Sequence, residues 1–284
     1  MSKVLILGGT GMLGHAVLEE FVGFAGEVAF TSRSGSGIPF DVLSDSVESL
    51  GKFVGHGDYI INCLGITKPH IKDDNQQDVA RAKLVNSLFP AELASLTEKT
   101  GSRVIQIATD CVFSGRKGHY LETDTHDAED VYGKTKSLGE VVADNVMHIR
   151  VSTIGRELGR STLLLEWVLS HANGATITGF TDHFWNGVTT NHFANVVRGV
   201  IEKDGFRSGL SHLVPADELS KADLVRQIAS AFDRSDLIVK DTESGKPVDR
   251  TLSTTDPAFN KSLWAGAGYP DIPTIEQLIA EIAA

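Results

Sequence analysis

The chain has 284 residues, 41% of them hydrophobic and 22% charged, which is typical of a globular protein with a substantial core. Its net charge of −11 argues against nucleic acid as a partner, and no apolar run approaches the roughly 20 residues of a membrane helix. Two cysteines make no disulfide framework, and the histidines show no metal-binding spacing, so we expect no metal site. The N-terminus has no basic leader, and together these features predict a cytoplasmic protein.

The chain begins with a continuous apolar run at residues 3–7, which predicts a strand buried on both faces of a parallel sheet. Glycines follow at positions 8, 11 and 14, and a helical pattern starts at Ala16. Without side chains, this turn lets the backbone approach a pyrophosphate at the helix N-terminus. The turn residues predicted to contact a dinucleotide are Gly8, Thr10, Gly11, Met12, Leu13 and Gly14.

The second predicted strand, residues 27–31, ends in Ser32 and Arg33. NAD sites usually carry an acid here, whereas an arginine with hydroxyl neighbours suits the 2′-phosphate of NADP. We therefore expect NADP(H), with NAD(H) as the alternative, although Arg33 could instead lie over the adenine. A third short strand leads to Asp41 and Val42, which are also predicted to reach the adenine.

The fourth predicted strand and its turn span residues 57–65. Ligands of open α/β sheets bind outside the carboxyl ends of the strands, so Cys63, Leu64 and Gly65 are predicted to face the cofactor. A long helix is expected over 76–99, interrupted near Pro90. Asn86 lies within it, either as a satisfied buried polar group or as a support for the site.

The fifth predicted strand, residues 103–108, delivers Thr109 to the same edge of the sheet. After a polar loop, a helix carries Tyr132 and Lys136, with Asp127 or Asp130 as its cap. Side chains four residues apart share a helix face, and a nearby cation favours the phenolate. Thr109, Tyr132 and Lys136 therefore predict a three-part catalytic site for proton delivery.

The ordered motifs of the first 155 residues resemble those of the extended short-chain dehydrogenase/reductases. Within them, the chain is similar to the RmlD-like group of nucleotide-sugar 4-ketoreductases, the dTDP-4-dehydrorhamnose reductases. The resemblance is carried by the glycine turn, Asn62, residues 109–115 (Thr-Asp-Cys-Val-Phe-Ser-Gly), residues 132–136 (Tyr-Gly-Lys-Thr-Lys), Gly139-Glu140 and residues 150–152 (Arg-Val-Ser).

This resemblance implies hydride delivery from a nicotinamide to a sugar ketone, with Tyr132 as the proton donor. It also implies that Lys136 binds the nicotinamide ribose and lowers the pKa of Tyr132, while Thr109 polarises the carbonyl. Substrate contacts are expected from Asp110, Cys111, Val112, Ser152 and Thr153. Two departures affect specificity. The family usually has Tyr where this chain has Cys111, and often Trp where it has Thr153, so the substrate need not be dTDP-4-dehydrorhamnose.

After the sixth predicted strand, residues 146–152, the regular alternation weakens. We expect a helix at 161–170, a strand at 176–179 and a polar-aromatic loop at 181–191. In that loop Trp185, Asn186 and Thr189 either hold a base or sugar, or the tryptophan plugs the lobe interface.

The remaining predicted elements are a strand at 209–215, a helix at 221–232 capped by Ser220, and a terminal helix at 274–284. Arg250 resembles the family's late arginine and either binds the substrate diphosphate or forms a structural salt bridge.

These patterns predict an α/β protein with a Rossmann-type doubly wound parallel sheet and a smaller C-terminal α/β substrate lobe. The expected division is residues 1–155 for NADP binding and 156–284 for substrate, with helix 190–203 packing back on the first domain.

The predicted function is NADPH-dependent reduction of a 4-keto 6-deoxy sugar on a nucleotide. Rival functions are epimerisation or dehydration of a nucleotide sugar, and a non-catalytic NADP-binding regulatory subunit. Expected partners are a nucleotide sugar and, as an open point, a second copy of the chain.

Overall fold

The computed structural model describes residues 2–33, 35–159 and 161–284. Its centre is a parallel sheet of seven strands in the order β11-β6-β5-β4-β1-β2-β3. The strands are β1 (Val4–Leu7), β2 (Val28–Ser32), β3 (Ile38–Pro39), β4 (Tyr59–Asn62), β5 (Arg103–Ala108), β6 (Val146–Arg150) and β11 (Gly209–His212). The strand order reverses beside β1, as in a doubly wound fold, so the predicted fold class is confirmed.

Helices cover both faces of this sheet. The helices of the described residues, some of which pack in the second part of the chain, are α1 (Met12–Glu20), α2 (Gln76–Lys83), α3 (Phe89–Thr100), α4 (Val131–Leu138), α5 (Leu164–Leu169), α6 (Thr190–Glu202), α7 (Lys221–Ala231), α8 (Pro257–Gly266) and α9 (Ile275–Ala283). Successive side chains of β1 point to opposite faces: Val4 and Ile6 join one buried cluster with α1, α6 and α8, and Leu5 and Leu7 join another with α3. The continuous apolar run at the start of the chain is thereby explained.

The second part of the chain builds small sheets around a third buried cluster, which includes residues of α5, α7 and α9. Its strands are β7 (Thr153–Ile154), β8 (Thr176–Phe180), β9 (His183–Trp185), β10 (Val188–Thr189), β12 (Leu219–Ser220), β13 (Ile238–Thr242) and β14 (Val248–Asp249). The segment 181–191, expected as a loop, therefore contains two strands. Both strands are too short to show an alternating hydrophobic pattern in the sequence. They are stabilised by pairing with distant segments.

After residue 155 the chain returns to the first layer more than once. β11 adds the outer strand next to β6. Helix α6 packs on α1, where Arg198 donates a hydrogen bond to the backbone oxygen of Glu20 at 2.6 Å. Residues from both sides of the predicted boundary at 155 thus form the main sheet and its helical layer.

The long helix expected over 76–99 is continuous, but it widens into a π-helical segment at Leu84–Leu88 between α2 and α3. Pro90 lies in the first turn of α3 and has no N–H to donate to the carbonyl of Asn86. The predicted interruption is therefore a local widening, and it displaces Asn86 from regular helical geometry.

None of the helices in the described ranges is long and apolar enough to cross a membrane.

Candidate active site

The glycine turn between β1 and α1 has the geometry of an anion-binding turn. Gly8 has φ +78°, and a Cβ built on Gly14 would lie 2.0 Å from the Gly8 carbonyl oxygen, so α1 can pack on the turn only through a glycine. A Cβ on Gly11 would meet only that same oxygen, at 3.4 Å, and its outer side is open. Gly11 begins α1 without a side-chain cap, which leaves helix N–H groups available to a phosphate.

The other residues predicted for the cofactor lie along the same edge of the sheet. Thr10, Gly11 and Gly65 are exposed, and Met12, Cys63 and Leu64 are half-buried. Leu13 is buried in the core beneath α1, so it can offer a ligand only its backbone. A Cβ on Gly8 would lie 2.6 Å from Leu64 Cδ2, which shows how closely the turn after β4 lies against the glycine turn.

The end of β2 carries the residues predicted for the 2′-phosphate. Ser32 is buried and its hydroxyl donates to the backbone oxygen of Ser36 at 2.6 Å, whereas Arg33 is exposed. No carboxylate of the described residues lies within 4.0 Å of the Arg33 guanidinium. Asp41 and Val42 follow β3 at the neighbouring edge and are half-buried.

A close approach of α4 to the end of β5 assembles the Thr109–Tyr132–Lys136 group. Thr109 caps the short turn Asp110–Val112, accepting a hydrogen bond from the Cys111 amide at 3.2 Å. A Cβ on Gly133 would lie 2.2 Å from the Cys111 carbonyl oxygen, so α4 rests directly on this turn. Asp130, one of the two predicted caps, accepts from the Gly133 amide at 2.8 Å. Tyr132 is thereby held beside Thr109.

The pKa of the Tyr132 phenol is raised, first by burial and then by the neighbouring Cys111, while hydrogen bonding from the Thr109 hydroxyl lowers it. The expectation that Lys136 lowers this pKa is therefore wrong for the structure described. Burial disfavours the phenolate, and the Lys136 ammonium donates to the Ile107 carbonyl oxygen at 3.0 Å. Tyr132 accordingly keeps its proton at neutral pH, as a proton donor must.

Lys136 is only 8% exposed, and burial lowers its pKa to about 8, with Glu140 acting in the opposite direction. The hydrogen bond to the Ile107 carbonyl holds its ammonium at the carboxyl end of β5. A cation in this place is available to the ribose of a dinucleotide whose pyrophosphate occupies the glycine turn.

Asn86 joins the turn after β4 to helix α4. Its amide oxygen accepts from the Ile66 N–H at 2.9 Å, and its amide nitrogen donates to the Ile66 carbonyl at 3.0 Å and to Thr135 Oγ1 at 3.2 Å. Asn86 is therefore a satisfied buried polar group that also ties the turn after β4 to α4, and its role as a support for the site stays a prediction.

Several side chains predicted for substrate are engaged by the protein itself. Trp185 is 4% exposed and donates from Nε1 to Ser152 Oγ at 2.9 Å. This matches the alternative in which the tryptophan fills space inside the protein and does not bind a base or sugar. Asn186 exchanges two hydrogen bonds with the backbone of Leu252. Thr189 caps α6, accepting from the His192 amide at 3.3 Å. The polar side-chain atoms of these three residues already hydrogen-bond to other groups of the protein.

The remaining predicted substrate residues divide into two groups. Val112 is fully buried in a cluster with Phe113, Tyr120 and Leu252, and Thr153 pairs β7 with β10. Asp110 and Cys111, by contrast, lie beside Tyr132, since both raise the pKa of its phenol. Burial raises the pKa of the Cys111 and Cys63 thiols to about 12, so neither is an activated nucleophile.

Arg250 reaches this region from β14, donating from Nε to the Phe113 carbonyl oxygen at 2.8 Å. No carboxylate of the described residues lies within 4.0 Å of the Arg250 guanidinium, so Arg250 forms no structural salt bridge with them. Lys221, which the sequence reasoning missed, also lies near Asp110. A signal was present, because a lysine in the first turn of a helix opposes the helix dipole.

Comparison with known proteins gives a family match over most of the chain. The model of the RmlD substrate binding domain matches residues 2–258. The β subunit of methionine adenosyltransferase 2 from Danio rerio is 28% identical over 253 residues, which cover 81% of this chain and 74% of that protein. The dTDP-4-dehydrorhamnose reductase of Mycolicibacterium smegmatis is 29% identical over 49% of this chain and only 40% of the enzyme.

Solved structures show the same fold at lower identity. The dTDP-4-dehydrorhamnose reductase of Yersinia enterocolitica aligns with a TM-score of 0.78 and 18% identity, over 100% of this chain and 99% of that one. The reductase of Bacillus anthracis, solved in complex with NADP, aligns with a TM-score of 0.77 and 18% identity, over 99% of both chains.

Proposed function

Because the chain belongs to the family defined by the RmlD substrate binding domain, we propose that it is an NADPH-dependent reductase of the 4-keto group of a nucleotide-linked 6-deoxy sugar. The observation that carries this proposal is the placement of Thr109, Tyr132 and Lys136 at the carboxyl end of β5, beside a turn open to a pyrophosphate. The complex of the Bacillus anthracis reductase with NADP supports the choice of cofactor.

In this mechanism Tyr132 donates its phenolic proton to the keto oxygen, and Thr109 polarises the same carbonyl by a hydrogen bond. A bound nicotinamide cofactor would supply the hydride for the carbonyl carbon. Lys136 would bind the nicotinamide ribose through its ammonium and so orient the cofactor for the reaction. Arg33 is the residue proposed to bind the 2′-phosphate.

The test is incubation of the protein and NADPH with 4-keto sugars linked to dTDP, UDP, GDP and CDP, followed by absorbance at the nicotinamide band. We expect absorbance loss with at least one sugar. Tyr132→Phe should lower turnover by roughly 100-fold, since a positioned acid contributes that much, and should leave NADPH binding near normal. Turnover unchanged by Tyr132→Phe would remove this residue from the mechanism.

A regulatory subunit is the second candidate, because the Danio rerio relative is named as a subunit of another enzyme. Silence across the whole sugar panel, with intact NADPH binding, would favour that role. The complete Thr109–Tyr132–Lys136 set supports catalysis instead, since a subunit without turnover does not need all three.

An epimerase or dehydratase would convert a nucleotide sugar without net loss of NADPH. Dehydratases usually place two acids directly after the threonine, whereas Asp110 is followed by Cys111 here.

A further inference from the structure

A small three-stranded sheet brings two cations to the site from distant parts of the chain. In this sheet β9 lies between β12 and β14. Lys221 directly follows β12, and Arg250 directly follows β14. The Asp249 amide donates to the Gly115 carbonyl oxygen at 2.7 Å, so β14 is fastened to the segment that begins at Thr109. The position of both cations is therefore coupled to that of the catalytic turn.

The side chain of Lys221 is half-buried and is placed by an aromatic ring. Its Nζ lies 5.3 Å from the centroid of Trp185, whose own position is fixed by burial and by the hydrogen bond to Ser152. Burial lowers the pKa of Lys221 to about 8, while Asp110 and Cys111 raise it and Arg250 lowers it again. Lys221 is thus within electrostatic reach of the turn that carries Thr109.

Lys221, Arg250 and Asp110 lie near one another, but they form no salt bridge among themselves. Among the described residues, no carboxylate lies within 4.0 Å of Lys221 or Arg250, and no cation lies within 4.0 Å of Asp110. Burial raises the pKa of Asp110, whereas Arg250 and Lys221 lower it, so both cations lie near this carboxyl group. Two cations held near each other, one of them with a pKa lowered by burial, are stabilised by an anion between them.

We propose that Lys221 and Arg250 together bind one oxyanion of the substrate, either a phosphoryl group of the nucleotide diphosphate or a carboxylate on the sugar. The proposal rests on the proposed function in that the ligand is a nucleotide sugar. Lys221 is a binding residue in it, and Arg250 presents the planar guanidinium that recognises phosphate and carboxylate.

The test is calorimetric titration of the full chain, saturated with NADPH, with inorganic diphosphate, UDP-glucose, dTDP-glucose and UDP-glucuronate. Lys221→Met should weaken binding at least 10-fold, because a charge-assisted contact is lost. Lys221→Arg should stay within about threefold of the unchanged protein, since it keeps the charge. Lys240→Met removes an exposed lysine of β13 and should change nothing.

The ligand series separates the two sources of the oxyanion. A loss for every diphosphate assigns Lys221 to a phosphoryl group, and a loss confined to UDP-glucuronate assigns it to a sugar carboxylate. Unchanged binding by Lys221→Met, or no binding of any probe to the original protein, overturns the proposal. Thermal midpoint and NADPH affinity of Lys221→Met should match the original protein. If it does not fold, retained binding by Lys221→Arg together with at least a 10-fold loss in Lys221→Gln decides the question.

Because binding is measured, this result is independent of turnover. Silence in the keto-sugar panel with Lys221-dependent binding would end the reductase proposal and leave the oxyanion site standing. Turnover with Lys221-independent binding would do the reverse.

Discussion

Tyr132 and Lys136 lie one helical turn apart, yet they have different partners. The phenol faces Thr109 and Cys111, whereas the ammonium is bonded to the Ile107 carbonyl. Spacing on a helix predicted a shared face and was right about the elements involved. It could not predict that burial raises the pKa of the phenol, because burial depends on the turn at Asp110–Val112, which packs against α4 from elsewhere in the chain.

The lowered pKa of Lys136 gives a test at this scale. The ammonium is charged below a pKa of about 8, so NADPH affinity should be full at neutral pH and should fall as the pH rises through 8. Tyr132 stays protonated throughout that range because its pKa is raised. Fluorescence titration of NADPH across about pH 6 to 10 measures the effect.

Lys136→Arg is the control for this titration, since a guanidinium stays charged over the whole range. It should move the alkaline fall in affinity to higher pH. A fall at the same pH in both proteins would assign the titration to a group other than Lys136.

At the scale of elements, the site depends on how closely α4 approaches the turn after β5. Gly133 makes this approach possible, and Gly139 allows a second one, because a Cβ there would lie 2.0 Å from the Asn86 carbonyl oxygen. The π-helical segment places Asn86 for that contact and for its bonds to Ile66 and Thr135. Helix α4 and the turns after β4 and β5 are therefore positioned by backbone contacts as much as by side chains.

Gly133→Ala adds only one methyl group, but it should strongly disturb the arrangement of Thr109, Tyr132 and Lys136. The new methyl group would overlap the Cys111 carbonyl, so α4 must shift, at a cost of about 1–3 kcal/mol in unfolding free energy. A shift near 1 Å at Tyr132 should lower turnover by roughly 100-fold. Urea unfolding and NADPH oxidation measure the two effects.

Gly266→Ala is the matched control, since it is also a helical glycine but would make only an ordinary contact at 3.7 Å. Normal turnover in Gly133→Ala would mean that Tyr132 does not depend on this packing.

At the scale of the whole molecule, a buried charged network joins segments from across the chain. Arg150 of β6 is fully buried and donates to the Glu140 carboxylate after α4 at 2.5 Å. It also contacts His126 at 2.6 Å and His212 of β11 at 2.9 Å. His212 bonds through Nδ1 to the Ser253 carbonyl oxygen, so its Nε2 must be the acceptor for Arg150. Both imidazoles have lowered pKa values, chiefly through burial, and remain neutral beside the arginine.

Glu140→Gln should leave the Arg150 charge buried without a counter-ion and destabilise the protein by about 3–5 kcal/mol. Urea unfolding at neutral pH measures this loss. Glu48→Gln, which breaks the exposed Lys99–Glu48 pair, should cost under about 1 kcal/mol. Equal effects of the two substitutions would show that the Arg150 network contributes no more than a surface ion pair.

The sequence by itself determined the parallel sheet, the glycine turn and the placement of Thr109, Tyr132 and Lys136 near the carboxyl end of β5. Each rests on local signals: a continuous apolar run for strands buried on both faces, glycines where backbone must approach closely, and residues at strand ends or on one helix face. The cap at Ser220 and the terminal helix were readable for the same reason, and the structure contains both.

Only the tertiary structure decided the surroundings of those groups. The pairing of β9 with β12 and β14 turns an apparent loop into a sheet, buries Trp185 against Ser152 and brings Lys221 to the site. These contacts join residues that are far apart in the sequence, so no local pattern contains them. The pKa values of Tyr132 and Lys136 follow the same rule, because they are set mainly by burial under segments that only folding brings together.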